Sequence, residues 1–180
     1  MITKGLTCHI DTKCNAEPIV QVLINPELDQ SLQLRYELNA DLSQLSIPEL
    51  QPEKVVEGLW KHTCFELFVA VENEADYHEF NFSPSGNWAA FAFSGYRASK
   101  TWTCSRKPII HCSRNHKQLT LEASIATADL PSNPNNKPFQ LGLTAVLEDK
   151  NKGLSYWALH HPPGQPDFHH RSGFACKISL

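Results

Sequence analysis

The chain has 180 residues, of which 41% are hydrophobic and 19% charged, with a formal net charge of −3 and a pI near 6.3. This length suits one domain with a hydrophobic core and is short for two, and the composition is that of a soluble globular protein. The chain has no basic block and no apolar run of about 20 residues, which argues against nucleic-acid binding and against a membrane span.

The N-terminus and the cysteines bear on where the protein resides. Residues 1–9 lack the apolar core of a secretory signal, which predicts a cytoplasmic protein. The six cysteines, at positions 8, 14, 64, 104, 112 and 176, form no Cys-x-x-Cys pair and match no zinc-site spacing. Because a reducing compartment keeps thiols free, we expect six unpaired cysteines rather than disulfides.

Along the chain, alternation of apolar and polar residues dominates and helical periodicity is scarce. Proline and Gly/Asn/Ser clusters separate the alternating runs. The predicted strands cover residues 19–24, 32–39, 63–71, 77–83, 87–93, 109–113, 119–125, 139–147, 154–160 and 174–178. Many short strands at this spacing predict an all-β fold, an antiparallel β-sandwich of jelly-roll or immunoglobulin-like type, in a single domain spanning residues 1–180.

The strands predicted at residues 63–71, 77–83 and 87–93 each have one strongly apolar face. Alternation places Glu66, Glu79 and Asn81 together on the other face. The apolar face carries most of the area that can be buried, so we expect it to face the core. Its phenylalanines are Phe65, Phe80, Phe82 and Phe91.

The predicted turn at residues 83–86, with the sequence SPSG, decides which residues of the last two of these strands pair. It has Pro and Gly at the positions where a type I turn favours them. A tight hairpin closed by this turn pairs Asn81 with Trp88 and keeps the Phe-rich faces together. In that register Trp88 lies beside Glu79 and Asn81.

A face that combines an aromatic ring, two carboxylates and an amide suits a polyhydroxylated ligand. The ring stacks on the CH-rich face of a sugar, while the carboxylates and the amide bond its hydroxyl groups. The alternative is an ordinary solvated face, in which Trp88 packs under a neighbouring loop.

Several segments of the chain, taken together, resemble a known family. They are Leu59-Trp60, the run from Thr63 to Phe68, the run from Tyr77 to Ser85, Trp88 to Phe91, Tyr96-Arg97, and Trp157 to Pro162 with Pro166 to His169. These segments resemble the bacterial DOMON-like proteins, which are grouped with the family 9 carbohydrate-binding modules, over roughly residues 36–180. The resemblance implies a β-sandwich that binds a sugar or, in other DOMON branches, haem.

The residue pattern and the resemblance lead to one predicted site. Its ligand-binding residues are Trp60, Glu66, Glu79, Asn81, Trp88, Arg97, Trp157, His160 and Asp167. Trp88 is the predicted stacking platform, and Arg97 is expected to hold the geometry of the carboxylates. Trp157, His160 and Asp167 are expected to close the site from the C-terminal side. The predicted function is non-catalytic binding of a carbohydrate or similar polyhydroxylated ligand, either a small molecule or an oligosaccharide.

A proline-rich loop between His160 and His170 is expected to fold over this patch. Prolines restrict the unfolded states of a loop, so ordering it costs less entropy. We expect His160 or Asp167 to come within hydrogen-bonding reach of a patch residue, namely Glu66, Glu79, Asn81 or Arg97. A histidine beside carboxylates would have a raised pKa, and ligand affinity would then depend on pH.

Two other functions stay open at this point. Glu66 and Glu79 share a face and are candidates for the carboxylate pair of an enzyme acting on a sugar or small metabolite, which needs carboxyl separations of roughly 5–5.5 Å or 6.5–9.5 Å. The histidines from His160 to His170 are candidate ligands for a metal or for haem. Haem-binding DOMON proteins are expected to use Met and His, and the single methionine is Met1, which leaves a bis-His site. We assign no catalytic residue, metal or cofactor, and the oligomeric state stays open.

Overall fold

Twelve β-strands and four short 3-10 helices form the regular structure of the computed structural model, which describes residues 1–14, 16–28, 30–151 and 153–180. The strands are β1 (Ile2–Cys8), β2 (Ile19–Leu28), β3 (Ser31–Asn39), β4 (Cys64–Val71), β5 (Tyr77–Phe82), β6 (Trp88–Phe93), β7 (Ser99–Lys100), β8 (Ile109–Arg114), β9 (Gln118–Ala126), β10 (Phe139–Glu148), β11 (Leu154–Ala158) and β12 (Cys176–Ile178). The 3-10 helices are Leu42–Gln44, Leu59–Lys61, Thr127–Asp129 and Arg171–Gly173. Within the described ranges, no helix has the length and apolar character that crossing a membrane requires.

The strands form two layers that are joined at β1. The named strands pair antiparallel in the order β7-β6-β5-β4-β10-β11-β1-β2-β3-β9-β8, and β12 pairs with β10. The first part of β1, Ile2 to Leu6, pairs with β2, whereas its end pairs with Ala158 and Trp157 of β11. β1 therefore passes from one layer to the other, and the sheet curls into a sandwich. The predicted all-β antiparallel fold is confirmed.

The main hydrophobic core brings together the apolar residues of both layers, because each strand turns alternate side chains inward. Tyr36 of β3 shows how closely the layers are connected. Its ring lies 5.1 Å from the ring of Phe65, and its hydroxyl donates a 2.7 Å hydrogen bond to the backbone carbonyl of Glu66. A buried hydrogen bond of this kind contributes about 1 kcal/mol. It fixes β4 at the residue that presents a carboxyl to the opposite face.

Every strand predicted from the sequence overlaps a strand of the structure. The sequence does not predict β7, which has only two residues. It does not predict β1 either, in which Leu6 is the only buried residue. A strand that passes between two layers does not keep one apolar face, so it lacks the period-2 signal. All six cysteines lie within the described ranges and are unpaired in the structure.

A second apolar cluster covers the outer face of β4, β5 and β6. Phe68, Tyr77 and Phe93 point away from the main core and pack with Phe174 of the C-terminal segment, residues 159–175. Gly142 of β10 permits this packing, because a Cβ there would lie 3.0 Å from Cδ1 of Phe174. All eight residues of β4 are therefore buried, with the main core on one side and the C-terminal segment on the other.

Candidate functional site

A cavity of about 440 Å³ lies between the outer face of β4, β5 and β6 and the C-terminal segment. This volume is within the range of small-molecule sites, about 300–1,000 Å³. Four of the predicted ligand-binding residues line it: Trp60, Glu66, Glu79 and Arg97. The other lining residues are Phe68, Phe91, Phe93, Ser99, Val146, Tyr156, Pro166, Phe168 and His169.

Two glutamates are the acidic residues of the cavity lining. Glu66 of β4 pairs with Asn81 of β5, and Phe68 pairs with Glu79, so the two glutamates are diagonal neighbours on one face. Glu66 is 2% exposed and Glu79 is 5% exposed. The predicted placement of Glu66, Glu79 and Asn81 on one face is confirmed, although this face is covered rather than open to solvent.

The hydrogen bonds of these polar side chains are incomplete. Asn81 donates from Nδ2 to Oε1 of Glu79 at 2.7 Å, and Thr144 donates from Oγ1 to Oε2 of Glu66 at a long 3.5 Å. Oε1 of Glu66 and Oδ1 of Asn81 are buried without a partner among the described residues. Buried acceptors are nearly always bonded in native proteins, so these two atoms call for a donor from a ligand or a water molecule.

Burial changes the acidity of both glutamates. It raises the pKa of Glu79 to about 7, against a hydrogen bond from Asn81 that lowers it. Burial, and then the neighbouring Glu79, raise the pKa of Glu66 well above its usual range. Two carboxyl groups in a poorly hydrated site cannot both ionise cheaply. The pair therefore retains a proton near neutral pH.

Aromatic side chains form the walls of the cavity. Trp60, on the 3-10 helix Leu59–Lys61, is 40% exposed, and its ring meets the ring of Phe91 edge-on at a centroid distance of 6.0 Å. Phe68 contacts Phe168 of the C-terminal segment, whose ring also meets Tyr156 of β11. The cavity thus offers apolar ring surfaces next to buried polar atoms, the combination typical of a specific small-molecule site.

His169 is the histidine that reaches the site. Its Nδ1 lies 2.8 Å from the hydroxyl of Tyr77, and its Nε2 lies 3.7 Å from Oε2 of Glu79. Burial, and then the charge of Arg97, lower the pKa of His169 to about 4. The sequence analysis expected a raised pKa for a histidine beside the carboxylates, His160 in particular, whereas for His169 burial and the charge of Arg97 outweigh Asp167, which by itself would raise the pKa. His169 is neutral at pH 7, so its contact with Glu79 is not an ion pair there.

Asp167 connects the C-terminal segment to the rim of the cavity. It accepts hydrogen bonds from Arg97 at 2.9 Å and from the hydroxyl of Tyr96 at 2.8 Å. Burial by itself would raise the pKa of Asp167, but these two hydrogen bonds outweigh it, and the pKa lies below its usual value. The predicted contact between Asp167 and Arg97 is confirmed. Arg97 makes its ion pair with Asp167 rather than with the glutamates it was expected to orient.

The predicted position of Trp88 is wrong. Ser83 bonds back to Asn87, and Gly86, with φ of +87°, donates to the carbonyl of Ser83, which makes the loop three residues long. A type I turn needs such a left-handed glycine bulge to match the twist of a hairpin. The extra residue shifts the pairing by one, so Phe82 rather than Asn81 faces Trp88. Trp88 therefore lies on the core side and is 8% exposed.

The same shift reverses the rest of β6. Phe91 pairs with Glu79 and Phe93 pairs with Tyr77, so both phenylalanines face the cavity instead of the core. A one-residue slip moves every side chain of a strand to the opposite face. Phe91 and Phe93 thus take the place beside Glu79 that the sequence analysis assigned to Trp88.

Two further predicted site residues lie elsewhere. Trp157 pairs with Ala145, belongs to the main core, and donates from its indole nitrogen to Oγ of Ser155 at 2.9 Å. Alternation along β11 sends Trp157 inward and gives the cavity Tyr156 instead. His160, two residues after the end of β11, is exposed and does not line the cavity.

The remaining histidines of the C-terminal segment point to different partners. His161 contacts the backbone carbonyl of Thr7 through Nε2, and His170 contacts the hydroxyl of Ser172. Within the described ranges, no three or more His, Cys, Asp or Glu side chains are grouped as a metal site requires. The structure thus disperses the histidines that the sequence places in one short run.

The lining residues that the sequence analysis did not predict as ligand-binding include Phe91, Phe93, Tyr156, Phe168 and His169. The signal for Phe91 and Phe93 is the glycine at the end of the SPSG turn, which indicates a bulged hairpin. Tyr156 alternates with Trp157, so a core position for the tryptophan implies an outward tyrosine. No local signal identifies Phe168 or His169, because their place depends on how the C-terminal segment folds back.

Comparisons with known proteins concern the fold. The sequence matches no protein-family model and no curated protein. A protein of Bacteroides uniformis ATCC 8492 to which carbohydrate binding is attributed is similar in structure, with a TM-score of 0.63 and 13% identity over 96% of this chain and 84% of that chain. A family 9 carbohydrate-binding module of Caldicellulosiruptor kristjanssonii in complex with glucose has a TM-score of 0.58 and 12% identity, over 97% of this chain and 84% of the module.

A third similar structure is a family 9 module of Caldicellulosiruptor kristjanssonii in complex with cellotriose. Its TM-score is 0.51 and its identity 10%, over 88% of this chain and 74% of the module. At these identities the likeness establishes the β-sandwich of these proteins for this chain. It agrees with the part of the predicted resemblance that concerns family 9 carbohydrate-binding modules.

Proposed function

We propose that this protein binds a carbohydrate in the cavity beneath the C-terminal segment. The observation that carries the proposal is Oε1 of Glu66, a buried oxygen without a partner among the described residues, in the lining of an aromatic-walled cavity of about 440 Å³. Oδ1 of Asn81, the residue that pairs with Glu66, is also without a partner, although Asn81 does not line the cavity. A sugar supplies hydroxyl donors for such acceptors and CH-rich faces for the rings. The structural neighbours that bind glucose and cellotriose support this choice of ligand class.

Trp60 is the proposed stacking platform, in place of Trp88. It is the most exposed aromatic ring of the cavity and stands edge-on to Phe91, so a flat ligand can lie against its free face. An aromatic ring costs little conformational entropy when it is ordered by a ligand, since it has only two side-chain torsions. Glu66 and Glu79 lie at the polar end of the same cavity and are the proposed hydrogen-bonding groups.

Replacing Trp60 by alanine is expected to weaken sugar binding at least roughly tenfold, because the ring contributes stacking contacts to the complex. Titration calorimetry with glucose and cellotriose measures this loss. The melting temperature should change by no more than a few degrees, since the ring is partly exposed.

A matched control is Ile109→Ala, which removes an exposed apolar side chain of the other layer, 59% exposed on β8. This variant should bind as the wild type does. Equal affinity in Trp60→Ala and wild type would contradict the role of Trp60. Failure of a broad sugar library to raise the melting temperature of the wild type would contradict the proposed function itself.

One observation favours a second candidate, an enzyme acting on the bound sugar. A carboxyl group with a pKa of about 7 beside a second carboxyl group is what general acid catalysis at neutral pH needs. In that case cello-oligosaccharides incubated with the protein yield shorter products by chromatography. The Glu79→Gln variant should then lose turnover and keep binding, whereas a binding protein forms no products in either form.

A further inference from the structure

We infer that the sugar bound in this cavity carries a free amino group, whose ammonium form is held between Glu66 and Glu79. The inference rests on the proposed carbohydrate site and narrows its ligand class. It starts from the charges that face the cavity. Glu66 comes from β4 and Glu79 from β5, while β6 contributes only apolar rings.

The basic groups near the cavity do not balance these two carboxyl groups. Arg97, from the turn after β6, makes its ion pair with Asp167 of the C-terminal segment at 2.9 Å. His169 lies 3.7 Å from Glu79 but is neutral at pH 7. Burial raises the pKa of Tyr77, Tyr36 and Cys64, so these three groups carry no charge at that pH. Arg97 lines the cavity and its charge opposes the burial that raises the pKa of Glu79, but among the described residues its ion pair is with Asp167 and neither glutamate has an ion pair with an arginine or lysine.

The unsatisfied atoms also fit an ammonium group better than a hydroxyl group. Oε1 of Glu66 and Oδ1 of Asn81 have no partner, and Glu79 is hydrogen-bonded only through Oε1. Glu66 and Glu79 line the cavity whereas Asn81 does not, and once both glutamates are ionised their free oxygens are acceptors. A hydroxyl offers one donor, whereas an ammonium offers three donors and a positive charge opposite the carboxylates. Phe91 and Phe93 line the same cavity, and aromatic faces attract a cation.

Binding of a cation changes the protonation of the pair. The glutamates hold a proton in the free protein because burial disfavours their charged form. An ammonium in contact with them favours the ionised form, so a proton leaves a carboxyl group and passes to the buffer. Binding of a neutral sugar does not favour the ionised carboxyl group in this way, so it gives no reason for a proton to be released.

The test compares sugars that differ in one group, by titration calorimetry at pH 7. The probes are D-glucose, D-glucosamine and 6-amino-6-deoxy-D-glucose, with ethanolamine as an amine without a sugar ring. We expect at least one amino sugar to bind roughly tenfold or more tightly than glucose, as suits a charge-assisted contact. Its binding heat should vary with the ionisation enthalpy of the buffer, which reports proton release by the wild-type protein without any substitution.

Glu66→Gln and Glu79→Gln should each bring the affinity ratio of amino sugar to glucose close to one. Glutamine resembles the protonated glutamic acid in shape and charge, so both variants should fold, which circular dichroism checks. Glu122→Gln, which removes an exposed carboxyl group from β9 in the other layer, is the matched control and should keep the wild-type ratio.

The outcomes separate this inference from the function on which it rests. Glucose binding as tightly as every amino sugar overturns the amino-group inference and leaves carbohydrate binding intact. Ethanolamine binding in the absence of any sugar binding overturns the sugar site. Binding of none of the probes overturns the inference, and a failed sugar-library screen then overturns the proposed function as well.

Discussion

The Trp88→Ala variant is expected to lose about 3–5 kcal/mol of unfolding free energy, the usual cost of deleting a large buried aromatic side chain. Trp88 faces the core side of β6 opposite Phe82 and is 8% exposed. Its backbone also pairs with that of Val55, in the segment before the 3-10 helix Leu59–Lys61. Urea denaturation at 25 °C measures the loss.

Sugar affinity separates this structural role from a role in binding. Measured at a temperature where the variant remains folded, affinity should be unchanged, because Trp88 does not line the cavity. Trp60→Ala provides the opposite case, with lost affinity and nearly unchanged stability. If Trp88→Ala abolished binding and left the unfolding free energy within about 1 kcal/mol of wild type, the observed strand pairing would be wrong.

The second large expected effect is that of Glu79 on the pH dependence of the unfolding free energy. A carboxyl group whose pKa is raised by folding contributes stability at low pH and loses it as the pH rises through the folded-state pKa. For Glu79 this loss takes place between pH 4.5 and about 7. The displacement corresponds to about 3 kcal/mol. We therefore expect Glu79→Gln to match wild type near pH 4.5 and to be more stable by about 3 kcal/mol at pH 8.

The comparison with the variant removes the contribution of Glu79 together with its effect on Glu66, whose pKa is raised by burial and then by Glu79, and both changes favour the variant at high pH. Burial lowers the pKa of His169, His78 and His161, and these groups make the native state more stable as the pH rises toward 6.5. These three histidines occur in both the wild type and the Glu79→Gln variant, so their contributions cancel in the difference between the two unfolding free energies. Urea titrations at pH 5, 6, 7 and 8 give that difference. A constant offset across this range would show that folding does not raise the pKa of Glu79, while Glu122→Gln should follow the wild-type curve.

The C-terminal segment covers the site and is held there by contacts with β4 and with the turn after β6. The C-terminal segment is attached by the rings of Phe168 and Phe174 packed against Phe68 and by the contacts of Asp167 with Tyr96 and Arg97. These contacts bury one face of the sheet, and they hold His169 against Tyr77. The segment therefore shapes the cavity and excludes water from the two glutamates, which is why their acidity is altered.

The sequence by itself determines the strands other than β1 and β7, and the sides of β4 and β5 on which the glutamates lie. Alternation with a period of two is a local property of the backbone, so Glu66, Glu79 and Asn81 could be placed together without knowing any partner strand. The apolar faces of the same strands then predict which side meets the core. The class of the fold follows, because many short alternating strands have few other ways to bury their apolar faces.

Only the tertiary structure decided which aromatic residues join the glutamates. The three-residue loop with left-handed Gly86 shifted β6 by one residue, which exchanged Trp88 for Phe91 and Phe93. Pairing depends on the loop as well as on hydrophobicity, and both registers bury apolar side chains. His169 and Phe168 reach the cavity through the path of the C-terminal segment, which no local pattern encodes. Burial by that segment raised the pKa of Glu79, because acidity depends on surroundings assembled from distant parts of the chain.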